Sequence, residues 1–170
     1  MTTYKLGANS VLTVTSSTED ALEVEAVYQP GSPPRNHWHP AQSEHFEILA
    51  GTLRVIYGRA DRVLRPGDTV DIPAGTTHQM WNEGEIPAVV TWRTTPRGRT
   101  EQWYARVAQL NEGRRPGLVD FAVAAHEFRD VFQPAIHPRF LSAPVIAFLA
   151  AIGRMRARLR PSRGVSDTAR

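Results

Sequence analysis

Residues 31–51 read Gly31-Ser-Pro-Pro-Arg-Asn-His37-Trp-His39-Pro-Ala-Gln-Ser-Glu44-His-Phe-Glu-Ile-Leu-Ala-Gly51. Side chains two apart on an extended strand point to the same face, so His37 and His39 project together. If the chain turns near Pro40 and returns, Glu44 can meet them from a neighbouring strand. Three oxygen and nitrogen donors then converge, and a fourth is wanted from elsewhere.

The flanking sequence places this stretch among short strands. Ser10–Thr15 and Ala21–Tyr28 read as strands, the second alternating Leu22, Val24, Ala26 and Tyr28 against Glu23, Glu25 and Val27. Arg35–Trp38, Glu44–Leu49, Leu53–Tyr57, Arg62–Leu64, Thr69–Ile72, His78–Trp81 and Ala88–Arg93 follow, punctuated by Gly, Pro, Asn and Asp. Residues 1–9 read as irregular. Many short strands with such turns predict a mainly β sandwich or barrel. A two-residue loop at Ala50-Gly51 would set Glu44 opposite Tyr57 and Glu47 opposite Arg54. Glu44, Phe46, Ile48, Leu53, Val55 and Tyr57 then share an inner face, and Glu47 and Arg54 form an exposed pair. A carboxylate on that inner face is costly unless it is paired or metal-bound.

Beyond Thr94 the pattern becomes helical. The spacing predicts a helix over 101–111 capped by Thr100, another over 117–132 and a third over 143–159. Pro134 to Pro138 separates the last two. The expected organisation is a β-barrel over residues 1–94, a helical extension over 95–160 packing on the barrel or a partner, and a disordered tail over 161–170.

Composition narrows the chemistry. The chain has 170 residues and no cysteine, which excludes disulfides and thiolate ligands and leaves a metal only nitrogen and oxygen donors. Residues 1–100 hold 9 Lys and Arg against 11 Asp and Glu, while 101–170 hold 11 Arg against 6 acids. The net charge of +3 thus belongs to the helical part and gives no nucleic-acid groove in the first hundred residues. The Arg run at 154, 156, 158, 160 and 163 reads as a solvated helix end rather than a membrane contact. With no apolar leader or bilayer-length run, a cytoplasmic location is expected.

His78 is the candidate for the fourth donor, within Gly67-Asp-Thr-Val-Asp-Ile-Pro73-Ala-Gly75-Thr-Thr-His78-Gln-Met-Trp-Asn82. Here the sequence resembles the cupins, whose two motifs are G-x5-H-x-H-x3,4-E-x6-G and G-x5-P-x-G-x2-H-x3-N. Gly31, His37, His39, Glu44 and Gly51 fill the first motif, Gly67, Pro73, Gly75, His78 and Asn82 fill the second, and residues 52–66 lie between. The helical tail is also similar to that of small bacterial single-domain cupins. The resemblance implies a jelly-roll barrel in which His37, His39, Glu44 and His78 hold one divalent metal (Fe, Mn, Ni, Zn or Cu). It further implies a homodimer and a small-molecule ligand or substrate.

The expected function is a metal-dependent enzyme, either a dioxygenase or a Lewis-acid isomerase, cyclase or lyase. The alternative is a non-catalytic ligand-binding or sensing module. Glu44 is the candidate base. Arg35, Gln42, Phe46, Tyr57 and Met80 have the parity to line a pocket. Asn82 reads as a turn residue, His45 as solvent-facing, His126 and His137 as structural, and Trp103 as the anchor of its helix.

Overall fold

A computed structural model describes residues 1–112, 116–136 and 141–158. His137, Arg160, Arg163 and the expected tail over 161–170 lie outside them. Eleven strands and three helices follow one another: β1 (Thr3–Lys5), β2 (Ser10–Ser17), β3 (Leu22–Tyr28), β4 (His37–Trp38), β5 (Ser43–Ala50), β6 (Leu53–Tyr57), β7 (Ala60–Leu64), β8 (Thr69–Ile72), β9 (His78–Trp81), β10 (Ala88–Thr95), α1 (Thr100–Asn111), α2 (Leu118–Glu127), β11 (Gln133–Pro134) and α3 (Ser142–Arg158). The strands form two antiparallel sheets, ordered β1-β2-β3-β10-β5-β8 and β11-β4-β9-β6-β7. This is the mainly β jelly roll followed by three helices that the sequence led us to expect.

One buried cluster draws on both sheets. Leu12, Leu22, Val24, Ala26, Phe46 and Ile48 enter from the first, and Leu53, Val55 and Leu64 from the second. Their alternation along each strand is the binary pattern visible in the sequence, and burying it supplies the main driving force for closing the sheets together.

The turn at Ala50-Gly51 is not a hairpin. β5 lies between β10 and β8, whereas β6 lies between β9 and β7, so the chain crosses from one sheet to the other at this corner. Glu44 faces Thr94 and Ile72, and Tyr57 faces Ala60 and His78. Arg54 bonds Asp61 and Glu83 rather than Glu47. The inner face survives this correction because side chains alternate along a strand whichever strand it pairs with. Glu44, Phe46, Ile48, Leu53 and Val55 are all buried. Gly51 adopts φ +70°, and a Cβ there would lie 2.6 Å from the Pro87 carbonyl oxygen and 2.8 Å from Ala88 Cα. The corner therefore needs glycine both for its backbone and for the close approach of β10.

Two strands were not legible. Thr3–Lys5 is a strand because it pairs with Val11–Thr13 of β2, where residues 1–9 alone showed no alternation. Gln133–Pro134 pairs with Trp38 and His37 at a sheet edge, a position a proline can occupy. Thr100 does not cap α1. Arg99 occupies the cap position without a side-chain bond, and the Thr100 hydroxyl, buried, donates to the Arg97 carbonyl. α2 stops at Glu127 instead of running to 132, giving way to a turn in which Val131 N–H and Phe132 N–H both donate to the Phe128 carbonyl.

The helices share the barrel's core. Trp103, Tyr104, Ala124, Phe128 and Val131 belong to the same buried cluster as the strands. A second cluster of Ala122, Ala125 and Ile146 joins α2 to α3. Among the described residues no helix is long and apolar enough to cross a membrane.

Candidate metal centre

β4 and β9 pair so that His37 faces His78 directly. His39 follows β4 on the same side, as the two-residue spacing requires. The three ring centroids are 4.3 to 5.4 Å apart, and one nitrogen from each ring lies within 4.8 Å of the others. Glu44 arrives from β5 in the opposite sheet. Its Oε1 is 3.2 Å from His39 Nε2 and its Oε2 is 3.0 Å from His78 Nε2. The cluster bridges the two sheets at a point that neither sheet forms alone.

The outer nitrogens fix the chemistry of the inner ones. His37 Nδ1 lies 3.3 Å from the Arg35 carbonyl, His39 Nδ1 2.7 Å from the Val131 carbonyl and His78 Nδ1 3.0 Å from the Thr76 carbonyl. A carbonyl only accepts, so each ring in its neutral form carries its proton on Nδ1 and turns an Nε2 lone pair inward. His39 Nε2 and both Glu44 oxygens are buried with no hydrogen-bond partner among the described residues. Lone pairs facing one another at about 3 Å repel unless a cation lies between them. Imidazole nitrogens backed by carbonyls, together with one carboxylate, fit a divalent transition metal.

The titration behaviour points the same way. Burial pushes the Glu44 carboxyl up, but His39, His78 and His37 pull it down further, to about 2. It remains a carboxylate. Burial lowers His37, and the neighbouring His78 and His39 lower it again, to about 3. Burial also lowers His78, but the Glu44 carboxylate 3.0 Å from its Nε2 more than offsets this and leaves it raised.

The cluster forms part of the wall of a cavity of about 430 Å³. Of the residues expected to line it, Phe46 and Met80 do so from inside and Arg35 does so from the exposed rim. Gln42 does not. It is buried, with its Nε2 donating to the carbonyls of Pro96 and Arg97 and to Thr100 Oγ1, so the amide closes the turn before α1. Tyr57 does not either, because β6 lies beyond β9 from β4 and the ring packs against the core there. Asn82 is the turn residue expected, with Nδ2 donating to the carbonyls of Tyr28 and Ile86 and Oδ1 accepting from Gly84 N–H. His45 is half-exposed and bonds Asp71.

The wall is largely apolar with several aromatic rings, and much of it comes from the helical part. Phe132 stacks on His37 at 5.0 Å and 22°, and Trp103 stacks on Phe132 at 4.6 Å and 22°. Trp103 thus lines the cavity as well as anchoring its helix. Tyr28, Trp92 and Phe121 line it too. Tyr28 was detectable, since it continues the buried parity of Leu22, Val24 and Ala26. Phe132 carried no such signal, because it follows a turn after α2.

Residues 24–93 match the model of the cupin domain. The chain carries this likeness over less than half of its length. It is 34% identical over 59 residues to a protein of Arthrobotrys oligospora named as an oxidoreductase, covering 34% of this chain and 23% of that one. It is equally identical over 59 residues to the mannose-1-phosphate guanylyltransferase ManC of Salmonella typhimurium, covering 35% and 12%. The chain thus spans less than a quarter of either curated relative it matches. The structure of KdgF from Halomonas sp. superposes with a TM-score of 0.55 at 20% identity, covering 59% of this chain and 91% of that one, and shares its fold.

Proposed function

We propose that this protein is a metal-dependent enzyme acting on a small organic molecule. His37, His39, His78 and Glu44 would hold one divalent ion. The single observation that carries this reading is the set of inward lone pairs without hydrogen-bond partners, placed in the wall of a largely apolar cavity. A metal held there would polarise a substrate oxygen or support chemistry with O2, which corresponds to an isomerase, cyclase or lyase on one side and a dioxygenase on the other. The oxidoreductase name of one relative accords with the redox branch.

The protein's own residues do the rest. The carbonyls of Arg35, Val131 and Thr76 hold the imidazoles in the tautomer that ligates. Phe132, Trp103, Phe46 and Trp92 exclude water and receive an apolar body. A ligand-binding module without turnover is the second reading. It is favoured by the position of Glu44, the one carboxylate among the described residues lining the cavity, whose two oxygens both face imidazoles. A base free of the cluster is therefore lacking there.

Anaerobic loading with Fe, Mn, Ni, Zn or Cu, followed by elemental analysis of the wild type and His78→Ala, tests the metal assignment. Equal metal content in the two proteins would remove it. Consumption of O2 with candidate substrates then separates the redox branch from the others.

A further inference from the structure

We propose that the cavity takes a flat, largely apolar molecule carrying neighbouring acceptor oxygens, and that the Tyr28 hydroxyl positions it by donating to one of them. The inference deepens the functional reading above and rests on the same cavity. Tyr28 ends β3, points inward by the alternation of that strand, and lines the cavity with His37, Glu44 and His78. Its hydroxyl has one partner, Met80 Sδ at 3.7 Å. A thioether is a weak acceptor, so the O–H retains most of its donor capacity. The strand that carries it is fixed, because Asn82 Nδ2 donates to the Tyr28 carbonyl at 2.9 Å. Burial, and after it the charge of Glu44, raises the Tyr28 pKa, so the proton stays on at neutral pH.

A second donor lies in the same wall. Trp92, on β10, lines the cavity, and its indole Nε1 is buried without a hydrogen-bond partner among the described residues. Indole N–H only donates. Two under-used donors ask a ligand for acceptors: carbonyl, enolate or phenolate oxygens. The inward histidine and glutamate lone pairs, through the cation they would hold, ask for the same groups. Flat rings face one another across the rest of the wall, among aliphatic side chains such as Leu12, Val107 and Leu118. Trp103 and Phe132 stack on one another, and Phe46 stacks on Trp92 at 5.2 Å and 28°. A polyhydroxylated sugar would bury hydroxyls against these faces without partners, and a phosphate would meet one arginine among the described lining residues, the exposed Arg35.

The test uses quenching of the cavity tryptophans by two probes, 2-hydroxy-1,4-naphthoquinone and bare naphthalene. Wild type, Tyr28→Phe and Trp92→Phe are compared, each with its metal content and melting temperature measured. The expected result is tighter binding of the quinone to the wild type, weakened about three- to tenfold in Tyr28→Phe, with naphthalene unaffected and metal content unchanged. Trp92→Phe, read by quenching of Trp103, should weaken the quinone in the same sense. Equal quinone affinity in wild type and both variants overturns the proposal, and so does equal loss of both probes. The two readings fail separately. Protein that holds no metal yet shows the Tyr28-dependent difference overturns the metal assignment alone. Metal-loaded protein without that difference overturns the role of Tyr28 alone.

Discussion

His39 Nδ1 lies 2.7 Å from the carbonyl oxygen of Val131, 92 residues further along the chain. A candidate metal ligand of the barrel is thus oriented by the segment that follows α2. The next residue, Phe132, stacks on a second candidate ligand, His37. The helical part completes the site instead of merely decorating it.

That segment is clamped to α1. Arg99 donates to both Asp130 oxygens and to the Glu127 carbonyl, and its guanidinium lies 4.7 Å over the Phe128 ring. Arg99→Ala should loosen Val131 and weaken metal binding about tenfold, the usual scale for an outer partner of a ligand, as measured by competition with a chelator. Unchanged affinity would show that β11 pairing alone holds the carbonyl in place. The hydrogen bond from Arg99 holds the Asp130 pKa below its usual 3.8. A depressed carboxylate stabilises the fold above that value and loses its contribution as pH falls through the lower, folded value. The clamp should therefore persist below pH 3.8 and release only as pH falls through the lower, folded value.

Metal removal should lower the melting temperature. Binding to the folded state alone stabilises it by about 2.7 kcal/mol at a free metal concentration 100 times Kd. Calorimetry with and without chelator measures the shift. His78→Ala should melt at the same temperature in both conditions.

Proton and metal should compete at His78. Its pKa is raised above 6.5, so protonation opposes loading, and affinity should fall about tenfold per pH unit below the folded value. In metal-free protein the sign for stability is the reverse. A raised histidine stabilises fully below the unfolded value of 6.5, and this contribution disappears as pH rises through the folded one. Glu44→Gln removes the cause of the rise. Metal titrations over a pH series should then show weaker binding overall, with its acid midpoint displaced to lower pH.

Two glycines with the same backbone sign should respond differently to alanine. Gly75 has φ +75° with nothing within 4 Å of an added Cβ, so Gly75→Ala should cost only the backbone strain, about 1–2 kcal/mol. Gly51→Ala adds a clash with Pro87 and Ala88 backbone atoms and should cost clearly more in urea denaturation. Equal costs would mean that the corner between the sheets can yield.

The shared face of His37 and His39 and the inner face of β5 and β6 were legible because both rest on period-two alternation, which is a local property, and the resemblance to the cupins implied His78 as the distant fourth member. Partner identity was not. Glu47 and Arg54 looked like an exposed pair only under a hairpin that the chain does not make, since pairing depends on which sheet each strand joins. Gln42 had the right parity for the pocket but was captured by the carbonyls of Pro96 and Arg97. Parity gives the side of a strand, not what waits there.

By itself, the sequence determined the β class, the shared face of His37 and His39 and the two glycine-bounded motifs, which follow from residue types at short, fixed separations along one backbone. The resemblance of those motifs to the cupins implied that Glu44 and His78 join them. Only the tertiary structure decided that the Val131 carbonyl orients His39, that Phe132 and Trp103 wall the cavity, and that Tyr28 and Trp92 line it with them. Those relationships join residues tens of positions apart, and they come into being only when the sheets and helices bury their apolar faces against one another.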